Sequence, residues 1–283
     1  MPSRFKRLDG VPSHKRHTQL YCHNLHAPKY PLFVAEIGSN HTGSLERAIQ
    51  LIEEAKGAGA HAVKFQLFKW VDIARKAAEQ NPAFELDPEW IPTLQTHAHQ
   101  RDMAFLCTPF APWAIPVLAP YVDAWKIGSF EALYTELVFA LPADQKPLIL
   151  STGMTWDRSL SRLMQFLRSP GLILTHCISK YPTPYKEAGL MRVAAFKRRG
   201  FRTGYSSHTP GWMDVVVAAT MGVCLVEKHI RLDDQPDSPD NGSWALRPSQ
   251  FKQMIEDTHD AIDARRSRFN RAPVPAGRRI FGA

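Results

Sequence analysis

The sequence predicts a (β/α)8 barrel of the α/β class, and two observations predict it. Short apolar runs recur along the chain, and nearly every one ends in a small polar cluster; between them lie stretches with helical spacing. Runs that are continuously apolar, rather than alternating, suit strands covered on both faces, as in a parallel sheet. Eight units of roughly 29 residues fill the span from Leu32 to Arg265, enough each for a strand, a helix and two short loops. Such barrels place their chemistry at the C-terminal ends of the strands, where the polar clusters fall. The pattern therefore reads as an enzyme.

Taken in order, residues 1–30 form an irregular N-terminal extension. The first strand is LFVAEIGSNH from Leu32, and Ser44 then caps the helix LERAIQLIEEAK, which Gly57 and Gly59 stop. AVKFQ from Ala62 is the second strand, followed by a helix that Asp87 and Pro88 open and that carries Trp90, Leu94 and His97. Strands three to five are MAFLCTPF from Met103, AWKIGS from Ala124 and PLILSTG from Pro147. The sixth, LILTHCISKYPTP from Leu172, ends in a proline-stiffened loop at Tyr181 to Pro184. RTGYSSHT from Arg202 and VCLVEKH from Val223 complete the set, and Ser249 to Arg265 carries the last helix. Residues 31–266 are thus the barrel. Residues 267–283, with Pro273, Pro275 and Gly277, are a basic tail.

Composition agrees. At 283 residues and 44% hydrophobic content the chain can bury a large core. No run of roughly 18 apolar residues exists, so no membrane span is expected. The opening MPSRFKRLDGVPSHKRH lacks the apolar stretch of a secretory signal, which points to the cytoplasm. The net charge of +8 gathers at the two ends, without an aromatic-interleaved basic motif, so nucleic acid is not the expected partner. Cys22, Cys107, Cys177 and Cys224 show no paired spacing. The last three fall inside the strands as read and suit buried free thiols.

The residues at the strand ends carry the chemistry. His208 closes the seventh strand and His229 the eighth, so neighbouring strands bring two imidazoles together. On the residues alone two readings stand: a pair of metal ligands, or structural histidines held by hydrogen bonds. Lys64, Lys126 and Lys228 sit within apolar strands, where an ammonium is costly unless paired. Lys64 and Lys126 are read as reaching an anion in the mouth, or else as ion-paired with Glu36 or Glu131. Lys228 is read as a structural charge. Hydroxyls at Thr108, Ser129, Ser151, Thr152, Ser179 and Ser206 fall on the same rim and suit a phosphate. Glu36, Glu131, Glu227 and Asp240 suit sugar hydroxyls or proton transfer, with a structural role holding Lys64 or Lys228 left open for Glu227.

Read together, FVAEIGSNHTG, AVKFQ, KIGS, STGM, CISKYPTP, GYSSHTPG and EKHIRLD resemble, in order, the sialic acid synthase family. That family makes N-acetylneuraminate and related nine-carbon ulosonic acids such as legionaminic and pseudaminic acid. The match runs from Leu32 to Phe251. It implies that phosphoenolpyruvate condenses with an open-chain N-acetylated hexosamine such as N-acetylmannosamine, assisted by Mn2+, with Mg2+ or Co2+ as alternatives. C3 of phosphoenolpyruvate attacks the aldehyde, water adds to C2, and phosphate leaves by C–O cleavage.

By this resemblance His208 and His229 bind the metal, and Glu36, Lys64, Lys126 and His229 form the catalytic set. Lys64, Thr108, Lys126, Ser129, Ser151 and Ser206 hold phosphoenolpyruvate, and Ser179 lies on the same rim. Gln66, Glu131, Tyr181 and Asp240 orient the sugar. A homodimer is also implied.

Two departures stand out: Ser207, where the family's SDHT carries an acid, and Asn241, where a PDH is common. Both are expected near the sugar or the metal, which bears on the identity of the acceptor. Family members usually continue into an antifreeze-like domain that lends an arginine to the sugar site. Here the basic tail follows instead, and Arg278 or Arg279 is a candidate substitute. Two other functions stay open: a 3-deoxy-ulosonate synthase acting on a different aldose or phosphosugar, and a silent barrel that binds a sugar or a partner.

Overall fold

Eight parallel strands ring the axis of the barrel in a computed structural model that describes residues 19–20, 23–24, 28–73, 81–144, 146–155, 157–167, 169, 171–234 and 236–267. The strands are β1 (Leu32–Gly38), β2 (Ala62–Leu67), β3 (Ala104–Pro109), β4 (Trp125–Ile127), β5 (Leu148–Ser151), β6 (Ile173–His176), β7 (Arg202–Ser207) and β8 (Leu225–His229). All eight fall where the apolar runs predict them. Each pairs in parallel with the next, in the order β3-β2-β1-β8-β7-β6-β5-β4. At the seam between β3 and β4, Asp123 replaces a ladder. Its N–H donates to the Phe105 carbonyl at 3.0 Å, and its carboxylate accepts from the Phe105 N–H at 2.7 Å.

The helices are α1 (Leu45–Gly57), α2 (Ile91–His99), α3 (Ala114–Leu118), α4 (Thr135–Phe139), α5 (Asp157–Phe166), α6 (Met191–Arg198), α7 (Met213–Thr220) and α8 (Pro248–Arg266). The Ser44 hydroxyl caps α1 by accepting from the Arg47 N–H at 3.2 Å. Asp87 caps not α2 itself but a 3-10 turn, Pro88–Trp90, that runs straight into it. Within the lead-in expected to be irregular, Gln19–Leu20 pairs antiparallel with His23–Asn24. Leu20 packs with Leu32, Val34, Leu106 and Ile173 in the barrel's inner core. Cys22, the basic N-terminus, and Arg278 and Arg279 of the basic tail lie outside the described residues. No helix among the described residues is long and apolar enough to cross a membrane.

Period two along a strand decides what reaches the axis. In β2, Ala62 belongs to the inner cluster and Phe65 to the outer layer under the helices, so Lys64 and Gln66 share the inward face with Ala62. In β8 the same alternation turns Glu227 inward and Lys228 outward. The inner layer is therefore apolar at its base and polar at its C-terminal end.

Candidate active site

At that end a cavity of about 220 Å³ opens between the strand tips. All fourteen side chains to which the resemblance gives a catalytic, substrate or metal role line it. Five further residues line it, Phe110, Gly128, Phe130, Cys177 and Glu227, of which the sequence singled out only Glu227 as a site candidate. The two aromatic residues escaped notice because an apolar side chain in a loop carries no mark of facing a cavity.

The floor is a charged cluster shut away from water. Lys64 Nζ lies 2.5 Å from Glu36 Oε2 and 3.9 Å from Glu227 Oε1, and donates to Thr108 Oγ1 at 3.3 Å. Lys126 Nζ stands 3.4 Å from Glu227, which also accepts from Ser206 Oγ at 3.0 Å. Gln66 Nε2 donates to the other Glu36 oxygen at 2.6 Å. Lys64 is thus ion-paired with Glu36, one of the two partners expected, whereas Lys126 pairs with Glu227 and not with Glu36 or Glu131, and both lysines face the cavity. Glu227 joins both cavity lysines and not Lys228.

These contacts divide the carboxylates. Burial opposes charge on Glu36 and lifts it to about 7, against the pull of Lys64. Glu227 is as buried, yet Lys126 and Lys64 outweigh that and hold it well below the usual range. Burial also works against the Lys64 charge, but Glu227 and Glu36 keep its ammonium above the ordinary lysine value. Glu36 is therefore the group able to carry a proton near neutral pH, and Glu227 the fixed counter-charge.

The imidazoles stand at the other side of the mouth. Their ring centroids are 5.6 Å apart, with Tyr181 4.1 Å from His208. His208 Nδ1 meets the Ile178 carbonyl at 2.7 Å, and since a carbonyl only accepts, Nδ1 carries the proton and Nε2 keeps its lone pair. His229 Nδ1 lies 3.3 Å from Asp240 Oδ1 but has no hydrogen-bond partner among the described residues, so no contact fixes its tautomer. Burial holds both rings near a pKa of about 3, His208 further lowered by His229 and His229 by Lys64, so both are neutral at pH 7. Neutral imidazoles on adjacent strands are a donor set that suits a divalent ion. Among the described residues no three His, Cys, Asp or Glu side chains form a cage by themselves.

Two glycines shape the site. β1 bulges between Glu36 and Gly38, and Gly38 takes φ +54, where an added Cβ would stand 2.3 Å from Asp240 Oδ2. The bare backbone lets Asp240 fold in, and Ser39 fixes it through its N–H and its hydroxyl, each at 2.7 Å. At Gly153 a Cβ would meet Ser179 Oγ, Ser129 Oγ and Cys177 Sγ at 2.6, 2.8 and 2.9 Å. The Gly153 N–H donates to Ser129 Oγ at 3.2 Å. The Ser129 and Ser179 hydroxyls and the Cys177 thiol thus pack against the bare Gly153 backbone at the ends of β4, β5 and β6, beside the cavity that all three line.

Four expectations need correction. Thr152 does not reach the rim, because its hydroxyl turns back to the Thr175 carbonyl at 3.2 Å. Ser207 is not part of the cavity lining. Strand alternation sends it outward, where it accepts from Lys228 at 3.0 Å and donates to Asp214 at 2.8 Å, while Tyr205 and Thr209 also donate to Asp214. Asn241 is outside the cavity too, its amide donating to the Pro236 carbonyl at 3.0 Å. Of the three cysteines placed inside strands only Cys107 is; Cys177 follows β6 and Cys224 precedes β8, though all three are buried and free.

A parallel barrel whose mouth sets two lysines, four carboxylates and a histidine pair around a hydroxyl-lined cavity defines a (β/α)8-barrel enzyme. Residues 51–268 match the NeuB family, and the chain belongs to that family. It is 32% identical over 251 residues to the N,N'-diacetyllegionaminic acid synthase of Campylobacter jejuni, covering 80% of this chain and 75% of that protein. With a pseudaminic acid synthase of the same species it shares 29% identity, over 85% of this chain and 76% of the other. A solved N-acetylneuraminic acid synthetase from Leptospira borgpetersenii superposes with a TM-score of 0.77 at 25% identity, covering 87% and 89% of the two chains.

Proposed function

We propose that the chain condenses phosphoenolpyruvate with the open-chain aldehyde of an N-acetylated hexosamine, N-acetylmannosamine-like, to give a sialic-acid-type ulosonic acid and phosphate. The observation that carries this reading is the division of labour among Lys64, Lys126, Glu36 and Glu227. Two ammonium groups stand ready for a phosphorylated carboxylate, while one buried carboxyl holds a proton near neutrality and another does not.

The roles follow from position. Lys126 and the hydroxyls of Ser129, Ser151 and Ser179 take the anionic groups of phosphoenolpyruvate, with Lys64 and Ser206 at the floor. C3 of the enol attacks the aldehyde carbon, and the aldehyde oxygen takes a proton. Water adds to C2 and releases one. The bond between C2 and the phosphate ester oxygen then breaks, the departing phosphate takes the proton of the new hydroxyl, and that oxygen becomes the ketone. Glu36, 2.5 Å from Lys64, supplies the first proton and recovers the second, so no net proton is lost by the protein. Gln66 orients Glu36, and Glu131, Tyr181 and Asp240 hold the sugar hydroxyls. His208 and His229 would hold Mn2+, or Mg2+ or Co2+, which supplies Lewis acidity toward carbonyl and water when bound. The same reading makes the chain cytoplasmic and a homodimer, and light scattering tests the dimer.

Phosphate release from phosphoenolpyruvate with Mn2+, across N-acetylmannosamine, mannose, bacillosamine-derived hexoses and pentose phosphates, tests the reaction. Sugar-dependent release with an ulosonic acid by mass spectrometry is the expected outcome. Phosphoenolpyruvate binding without release on any sugar counts against this chemistry, and no binding at all indicates a silent barrel.

A further inference from the structure

A second cavity, of about 560 Å³, lies in the helical layer between α4 and α5. Leu133, Val138 and Phe139 give it an apolar side from α4 and the turn before it, and Arg158, Arg162 and Leu163 line it from α5. Residues four apart on a helix stand one above the other, so Arg158 and Arg162 bring two guanidinium groups to the same side of the cavity. Leu133 is 48% exposed and Phe139 60%, which leaves apolar surface open beside those charges. The pairing is complementary to a ligand with an apolar body and an anionic head. The body would cover Leu133 and Phe139, and the planar guanidinium groups would take the head's oxygens in pairs. The volume suits a small molecule, since such sites span roughly 300–1,000 Å³.

One turn of chain serves both cavities. Phe130 and Glu131 line the mouth of the barrel, and the next two residues, Ala132 and Leu133, line the outer cavity. A 3-10 turn, Glu131–Leu133, carries the change of side. The Ala132 N–H donates to the Gly128 carbonyl and the Tyr134 N–H to the Glu131 carbonyl, each at 3.0 Å. The Glu131 carboxyl group folds against the bare Gly128 backbone, where an added Cβ would collide with it. The backbone that aims Glu131 into the mouth is therefore the backbone that a ligand packed on Leu133 would brace from outside.

We propose that the groove between α4 and α5 is a second binding site, for a small anion with an apolar body, and that its occupant acts on the barrel mouth through the turn Glu131–Leu133. Binding is independent of the condensation proposed above; only the effect on turnover rests on it.

The probe is anilinonaphthalene sulfonate, an aromatic body with one sulfonate whose fluorescence rises in apolar surroundings. It should bind the full chain saturably, and the double variant Arg158→Gln, Arg162→Gln should bind it at least roughly ten-fold more weakly, the scale of a lost charge-assisted contact. Uncharged phenylnaphthylamine should bind both proteins alike. Both arginines are exposed, so the variant should keep the circular dichroism of the parent. With Mn2+, phosphoenolpyruvate and N-acetylmannosamine, saturating probe should lower the KM for the sugar by about five-fold in the parent and leave the double variant unmoved. Equal affinity in the two proteins overturns the site. Weaker binding by the variant with an unchanged KM in the parent overturns the coupling through the turn. A dimeric parent that excludes the probe, beside a variant that light scattering finds monomeric, overturns the site and makes the groove an interface between copies. No phosphate release on any sugar overturns the condensation, and the probe titration still decides the site.

Discussion

Lys64 Nζ and Glu36 Oε2 meet at 2.5 Å at the barrel floor, and each is almost wholly buried. Burial alone would neutralise both. Glu227 prevents that by holding Lys64 charged from the other side, which leaves Glu36 as the group whose proton is exchangeable. Glu36→Gln preserves size and the partnership with Gln66 but removes the titrating oxygen. We expect kcat to fall by about two to four orders of magnitude, the range for loss of a general acid–base, while calorimetry still detects phosphoenolpyruvate binding. A kcat within two-fold of the parent would remove Glu36 from proton transfer.

The close packing at Gly153 makes a separate claim about the anion. A methyl group there would stand 2.6 Å from Ser179 Oγ and 2.8 Å from Ser129 Oγ, too close for either, and would push both hydroxyls from their places in the cavity lining. Gly153→Ala should therefore raise the KM for phosphoenolpyruvate with the far-ultraviolet circular dichroism unchanged. Lys126→Ala should raise the same constant by about ten- to a hundred-fold, the worth of one charge-assisted hydrogen bond. If Gly153→Ala binds phosphoenolpyruvate normally, the phosphate is held elsewhere in the mouth.

The paired imidazoles concern the metal. His208 is locked by the Ile178 carbonyl with its other nitrogen left as a lone pair, the arrangement that a metal ligand needs. Calorimetric titration with Mn2+ should show His208→Ala binding at least roughly ten-fold more weakly, since loss of an outer-shell partner alone costs that much. Unchanged affinity would make His208 a structural histidine, the other reading open on the sequence.

Much of this site was legible in the chain because a parallel barrel converts strand order into position. Polar residues at the ends of apolar runs had one place to go, and Lys64, Lys126 and His229 went there. Side-chain direction was less legible where two similar residues adjoin. Ser206 and Ser207 are chemically alike, and only the phase of β7 sends one to Glu227 and the other to Asp214. Because Ser207 lies behind the strand, the departure from SDHT falls beside Lys228 and Asp214 and outside the cavity lining. Asp123 at the seam and Ser39 beneath Asp240 needed pairings across the sheet that no local pattern encodes.

His41 ties acid stability to the same end of the barrel. The ring is fully buried between Phe65 and Trp90, and its Nδ1 accepts from the Gly43 N–H at 3.1 Å. Nε2 has no hydrogen-bond partner among the described residues. Protonation would set two N–H donors against each other at Nδ1, and burial lowers the pKa from 6.5 to about 4. Because the folded value is depressed, this histidine costs no stability above pH 6.5. Stability drains away as pH falls toward 4, where the unfolded chain takes up a proton that the folded one refuses, and the loss levels off below that. Between pH 7 and pH 5 the loss from this one group is about 2 kcal/mol by linkage. His41→Asn places an amide oxygen where Nδ1 accepts and has nothing to titrate. Urea unfolding at both pH values, with chelator present, should show the variant losing about 2 kcal/mol less than the parent between them, whatever its absolute stability. An identical loss in both proteins would assign the acid sensitivity to other buried groups.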